Sequence, residues 1–264
     1  MGGARKSGKH GKSPFPLVEP AISVHKLVKK FEDVTAVDGV DIDIAPGELF
    51  GLLGPNGAGK TTMLNILAGL LEPTSGSATV GGFDVRRNVA NVRELIGVCP
   101  QDTAVYDYLT GRENVELFGD LHCIDKAKLR ANAKVLLEKV GLSDDADRRV
   151  GTYSGGMRRR VNLAMALVHD PDILFLDEPT VAMDPQSRHA VWDFIRELRD
   201  RGKTLILTTH HMEEAEVLCD RVGVIDHGRL IALGSPDELK AKFGARDLEE
   251  VFIKITGRSI REGA

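Results

Sequence analysis

The run Glu48-Leu49-Phe50-Gly51-Leu52-Leu53 leads directly into Gly54-Pro55-Asn56-Gly57-Ala58-Gly59-Lys60-Thr61-Thr62, and helical spacing of apolar residues then continues to Leu70. The stretch matches G-x-x-x-x-G-K-[ST], and it sits where that pattern has a mechanism, between a buried strand and a helix start. The glycines let the main chain wrap phosphate oxygens with its N–H groups. Lys60 can reach the β and γ phosphates, and the Thr61 hydroxyl can ligate Mg2+. Residues 54 to 62 are therefore predicted to cradle the phosphates of a nucleotide.

The rest of the chain suits such a loop. Residues 22 to 53 read as short strands, with strict alternation in Val40-Asp41-Ile42-Asp43-Ile44, and predict a half-exposed antiparallel sheet. Pro73, Gly76, Gly81 and Gly82 punctuate a hairpin, and residues 111 to 140 carry helical periodicity that ends at Gly141. Beyond them, a helix from about Gly155 to Val168, a strand at 172 to 176, a helix at 185 to 201 and a strand at 203 to 208 alternate. That order predicts βαβ units and a largely parallel sheet. A helix near 212 to 219, a strand at 221 to 226 and a hairpin at His227-Gly228 complete the body. Residues 236 to 264 form a small appendage that opens with the helix start Ser235-Pro236-Asp237-Glu238.

Composition excludes several classes. A net charge of −4 argues against a general nucleic-acid binder, and the three cysteines form no C-x-x-C pair. This suits a reducing cytosol. The longest apolar runs are strand-length, short of the ~20 residues of a membrane span. Residues 1 to 16 lack the apolar stretch of a secretory signal and read as a disordered basic tail.

Ile173-Leu174-Phe175-Leu176-Asp177-Glu178 delivers two carboxylates at the C-terminal end of a second buried strand, where open α/β sheets bind ligands. Asp177 is expected at the Mg2+ shell, and Glu178 beside the attacking water. Ser154-Gly155-Gly156 before a helix supplies another candidate anion site, because unpaired N–H groups point out of a helix start. The Arg158-Arg159-Arg160 run that follows cannot form one stripe on a helix, and is expected to give a solvated or phosphate-adjacent face.

The ordered set of residues 54 to 62, Gln101, Ser154-Gly155-Gly156, Asp177-Glu178 and His210 resembles the nucleotide-binding domain of ABC transporters. The resemblance implies a P-loop NTPase fold of class α/β: a mostly parallel core sheet, an N-terminal antiparallel β subdomain and an inserted helical subdomain at about 102 to 168. The ATP-binding domain would span 17 to 235. It implies that Phe31 stacks on adenine, that Gln101 senses Mg2+ and the attacking water, that His210 rather than His211 contacts the γ-phosphate, and that Ser154, Gly155 and Gly156 bind nucleotide held by another subunit. Tyr153 and Met157 stand where Leu and Gln are commonest, and Ala182-Met183 where Gly-Leu is usual. Ala182 would be restricted if its φ is positive.

Tyr106 to Asn114, Ala146 to Thr152 and Leu248 to Arg258 are similar to the daunorubicin-resistance branch. Membership there implies an ATPase with ATP and Mg2+ as cofactors, a separate transmembrane permease and a second ATP-binding subunit as partners, and a peripheral place on the cytoplasmic face of the membrane. Export of drugs or other hydrophobic compounds is the expected function. A non-hydrolysing ATP-binding regulator, or a soluble ABC ATPase outside transport, is the alternative.

Overall fold

The computed structural model describes residues 20 to 257, so the basic tail and the last residues of the appendage, Arg258 among them, lie outside the described residues. Chain order runs β1 (Ile22–Phe31), β2 (Val34–Ile44), β3 (Leu49–Leu53), α1 (Lys60–Leu67), β4 (Ser75–Val80), β5 (Phe83–Asp84), α2 (Val89–Leu95), β6 (Ile96–Cys99), α3 (Gly111–Leu121) and α4 (Lys126–Lys139). After a short 3-10 turn at Val150–Thr152 come α5 (Gly155–Leu167), β7 (Ile173–Asp177), α6 (Pro185–Asp200), β8 (Thr204–Thr209), α7 (Met212–Leu218), β9 (Arg221–Asp226), β10 (Arg229–Gly234), α8 (Pro236–Phe243) and α9 (Leu248–Thr256).

Two sheets result. The antiparallel one has strand order β2-β1-β4-β5, and the core sheet β10-β9-β3-β8-β7-β6. In the core sheet β9, β3, β8, β7 and β6 run parallel and β10 returns antiparallel beside β9. Every residue of β3, β7 and β8 is buried, as parallel strands covered on both faces must be. Strand periodicity then sorts their side chains between two cores. Phe50, Leu52, Ile173, Phe175 and Ile206 join α1 and the antiparallel sheet on one face. Leu49, Leu53, Leu174, Leu176, Leu205 and Leu207 join α5, α6 and the helices α3 and α4 on the other.

Local chemistry sets the helix starts. Thr110 and Glu113 form a capping box on α3, Ser235 and Glu238 one on α8, and Asp184 caps α6 with Pro185 in its first turn. Ser154 caps α5 by accepting from the Met157 N–H at 3.2 Å.

The structure corrects several expectations. The short first strands are two long ones, kept paired by register shifts after Val24, Leu27 and Lys29. The helical periodicity of 111 to 140 is realised as two helices, α3 and α4, with the chain turning between them at Cys123, whose φ is 55°. Helix α1 stops at Leu67, with Gly69 at φ of 64° just beyond it, rather than continuing to Leu70.

Within the arginine run, Arg159 departs from a solvated or phosphate-adjacent face, whereas Arg158 and Arg160 stay partly exposed. Arg158 pairs with Asp107 at 2.7 Å, Arg160 donates to the Val140 and Gly141 carbonyls that end α4, and Arg159 turns inward at 4% exposure. Carbonyls at a helix end attract cations, and this holds Arg160 beside them.

Candidate active site

Four neighbouring strands, β3, β8, β7 and β6, end on the same edge of the core sheet, because all four are parallel. Their exits carry residues 54 to 62, His210, Asp177-Glu178 and Gln101. Positions far apart in sequence thus become neighbours at one edge.

The phosphate loop owes its shape to its glycines. Gly59 precedes α1 at φ of 106°, and a Cβ there would lie 2.1 Å from the Ala36 carbonyl oxygen. The β9–β10 turn braces it: the Gly228 N–H donates to the Ala58 carbonyl at 3.0 Å, and the Gly228 carbonyl accepts from the Asp38 N–H at 2.8 Å. With His227 at φ of 47° and Gly228 at 77°, this is the two-residue hairpin turn whose twist suits the flanking strands.

Pro55, Asn56, Gly57, Ala58, Gly59, Lys60, Thr61 and Thr62 line a cavity of about 280 Å3 together with Ala36, Gln101 and Glu178. The Lys60 ammonium, 5% exposed, donates to the Gly54 carbonyl at 2.6 Å and lies 3.7 Å from Glu178 Oε1. Burial lowers its pKa, against the opposing pull of the Glu178 and Asp177 charges. Glu178 is the hub of the cavity wall. His210 Nδ1 is 3.0 Å from its Oε1, and Gln101 Nε2 donates to its Oε2 at 3.3 Å. Burial raises the Glu178 pKa, but the His210 hydrogen bond and the His210 and Lys60 charges outweigh it, so the net shift is downward and the carboxylate stays ionised.

Asp177 accepts from the Thr61 hydroxyl at 2.8 Å on one oxygen and from the Thr208 hydroxyl on the other. Thr61 and Asp177 together offer hard oxygen atoms beside the loop, the donor type Mg2+ takes when phosphates complete its shell. Among the described residues no group of three or more His, Cys, Asp or Glu residues could hold a metal ion.

Phe31 and Ser154 to Gly156 do not line this cavity. Phe31 ends β1 at 44% exposure with the Lys29 ammonium 4.8 Å from its ring centroid. Gly155 lines a separate depression with Gln101, Arg158 and Ala182, and nothing lies within 4 Å of a Cβ built on it. The main-chain N–H of His211 donates to the Thr209 hydroxyl, whereas the ring of His210 faces Glu178.

Three participants escape sequence reading. Thr208 holds Asp177 and accepts from the Glu178 N–H at 3.1 Å. Buried Glu214 accepts from the Thr180 hydroxyl at 2.7 Å and the Trp192 indole at 2.9 Å, tying the turn after Glu178 to α6 and α7. Arg159 donates to the carbonyls of Gln101 and Glu178. Its signal was its helical phase: Leu163 and Ala166, four and seven residues on, are core residues of the same face.

The family model for ABC transporters matches residues 37 to 181. The daunorubicin resistance ATP-binding protein DrrA3 of Streptomyces coeruleorubidus is 46% identical over 92% of this chain and 76% of its own length. The Nod factor export ATP-binding protein I of Paraburkholderia xenovorans is 47% identical over 89% of this chain and 77% of its own. Among solved structures, an ATP-binding subunit of an ABC transporter superposes with a TM-score of 0.82 at 26% identity, covering 89% of this chain and 99% of that one. The ATP-binding cassette MJ0796, a dimer in a post-hydrolysis state with ADP and Pi, superposes with a TM-score of 0.75 at 27% identity over 81% of this chain and 98% of that one. With its phosphate loop, paired carboxylates and core sheet arranged on one edge, the chain belongs to the ABC transporter family as one of its ATP-binding ATPases.

Proposed function

We propose that this ATPase powers an exporter of drugs or other hydrophobic compounds through a separate transmembrane permease, as a dimer on the cytoplasmic face of the membrane. The observation that carries the catalytic part is the convergence of Lys60, Gln101 and His210 on one buried carboxylate, Glu178, beside the phosphate loop. The loop N–H groups and Lys60 bind the phosphates. Glu178, kept ionised, orients a water and accepts its proton, and His210 bridges Glu178 to the γ-phosphate. Mg2+, held by Thr61 and Asp177 with Gln101 at its edge, would neutralise charge developing on the phosphates. Phe31 offers an exposed aromatic face for adenine.

The export role is supported by the names of the relatives, which describe resistance to a drug in one case and export in another. The dimer is supported by the open position of Ser154-Gly155-Gly156, away from this chain's own phosphate cavity. In a head-to-tail pair, each signature would face the nucleotide on the other subunit. A nucleotide that binds the closed pair better than the open one drives closure, and hydrolysis releases it. The helices between 102 and 168 would carry this motion to the permease, with 236 to 264 an appendage to the ATP-binding domain.

Replacing Glu178 by Gln removes the base and keeps the shape. MgATP binding should persist, a dimer should accumulate in size-exclusion chromatography, and turnover should fall by about 100 to 10,000-fold. Steady-state hydrolysis at the wild-type rate would remove Glu178 from this role.

A further inference from the structure

The turn after β6 and the end of β7 share a neighbour that phosphate binding alone does not require. Arg159 projects inward from α5 and is 4% exposed. Its Nε donates to the Pro179 carbonyl at 3.3 Å, its Nη1 to the carbonyls of Pro100 at 2.6 Å and of Gln101, and its Nη2 to those of Asp177 and Glu178. A guanidinium has five N–H donors in a fixed plane, so these five carbonyls use all of them. No carboxylate forms an ion pair with it among the described residues, and main-chain dipoles alone receive the charge. A buried cation is costly unless every donor is met, and an inward position needed only for packing would be filled by an apolar residue. The socket instead joins three segments: the turn that carries Gln101, the strand end that carries Glu178, and the turn that follows it.

Glu178 is strained as well. Its φ is 48°, a region costly for a residue with a Cβ, and its main chain is gripped on both sides. The Glu178 N–H donates to the Thr208 carbonyl at 3.0 Å, and its own carbonyl accepts from Arg159. The helix that bears Arg159 starts at Ser154, five residues and about 7.5 Å earlier along the axis.

We propose that Arg159 is a positioning residue that links engagement of Ser154-Gly155-Gly156 by the second subunit's nucleotide to the placement of Gln101 and Glu178 at this chain's own nucleotide; the proposal rests on the function proposed above. A shift at the start of α5 moves the guanidinium, and five hydrogen bonds move both turns with it. Each nucleotide therefore sets the catalytic geometry of the other site. Arg159 lines no part of the phosphate cavity but borders the depression that Gly155 and Gln101 share, and it reaches Gln101 and Glu178 through their carbonyls.

The test compares the full-length wild type with R159K, S154A and the double variant in steady-state MgATP hydrolysis and MgATP binding. Lysine keeps the charge but has three donors, so at least two carbonyls lose their partner. R159K should lower kcat on the order of 100-fold, the scale of a small misplacement of catalytic groups. Its MgATP dissociation constant should stay within about threefold of wild type, the split expected of a group acting in the transition state alone. S154A alone should also lower kcat, because Ser154 faces the second nucleotide, and the double variant should lose less than the product of the two single losses, as changes to one shared link do. Multiplying losses in the double variant, or a wild-type kcat in R159K, would overturn the proposal. The E178Q chain separates the two levels: if it turns over ATP normally, the proposed function fails, whereas if it is silent and R159K is normal, only the link fails. Should R159K lose its cooperative melting transition, hydrogen exchange on the E178Q chain replaces it. Protection of amides 155 to 160 and of 101 to 103 should rise with one MgATP midpoint, and two separate midpoints would refute the coupling.

Discussion

Ala182 carries a φ of 61°, in the left-handed region where a Cβ costs roughly 1–2 kcal/mol. It sits in the turn between Glu178 and the Asp184 cap of α6, and its carbonyl lies near Gly156, as does the Met183 side chain. This turn therefore touches the start of α5 while following the catalytic carboxylate. Glycine at 182 would relieve the strain and give back about 0.5–1 kcal/mol of it as extra chain entropy in the unfolded state. Ala182→Gly should thus stabilise the chain by about 0.5–1 kcal/mol in urea denaturation, and a lower midpoint would show that the strain is absorbed elsewhere. Strain retained next to a catalytic group is common where a fold holds a special geometry.

Between elements, a histidine pair joins three of them. His122 ends α3 and stacks on His169, just past α5, with ring centroids 3.7 Å apart, and His169 Nε2 donates to the Ile96 carbonyl at the start of β6 at 2.9 Å. Burial, reinforced by the neighbouring His122, lowers the His169 pKa to about 4, whereas the unfolded chain binds that proton near the ordinary value of 6.5. The unfolded state therefore takes up protons first as pH falls. The neutral pair's contribution is complete above pH 6.5, declines below it and is gone near pH 4. Between pH 7.5 and 5 the loss should be about 2 kcal/mol in urea midpoints converted at constant slope. His169→Gln keeps a donor for Ile96 and should flatten that part of the profile, and an unchanged slope would place the titration at another group. At this scale the sequence was most readable where side-chain pattern and main-chain geometry coincide. The buried runs of β3 and β7 and the glycine loop 54 to 62 announce themselves, because burial on both faces and positive φ demand particular residue types. Arg159, Thr208 and Ile96 do not, because their partners include main-chain carbonyls and N–H groups, and those groups carry no residue-type signature. The split of 111 to 140 into α3 and α4 was hidden for a related reason: the turn at Cys123 uses a positive φ without a glycine.

For the whole molecule, the division between engine and cargo follows from where the phosphate chemistry of the fold lies. The sheet edge formed by β3, β8, β7 and β6 gathers the phosphate loop, Asp177-Glu178, Gln101 and His210, whereas DrrA3 and the Nod factor export protein, both nearly half identical to this chain, name different compounds. In the proposed assembly cargo choice would belong to the partner permease, and this chain would contribute closure on MgATP. Closure is where Ser154 enters. Its hydroxyl caps α5 from within, yet the residue is exposed and outside the phosphate cavity, so arginine there adds bulk and charge on the face offered to a second subunit. Ser154→Arg should leave the MgATP affinity of the single chain nearly unchanged. Hydrolysis should drop by about 100-fold, the cost of a misplaced reacting geometry, and the dimer that Glu178→Gln accumulates should vanish from size-exclusion profiles when the two changes are combined. A single chain that loses MgATP affinity on this change would instead place Ser154 at its own nucleotide.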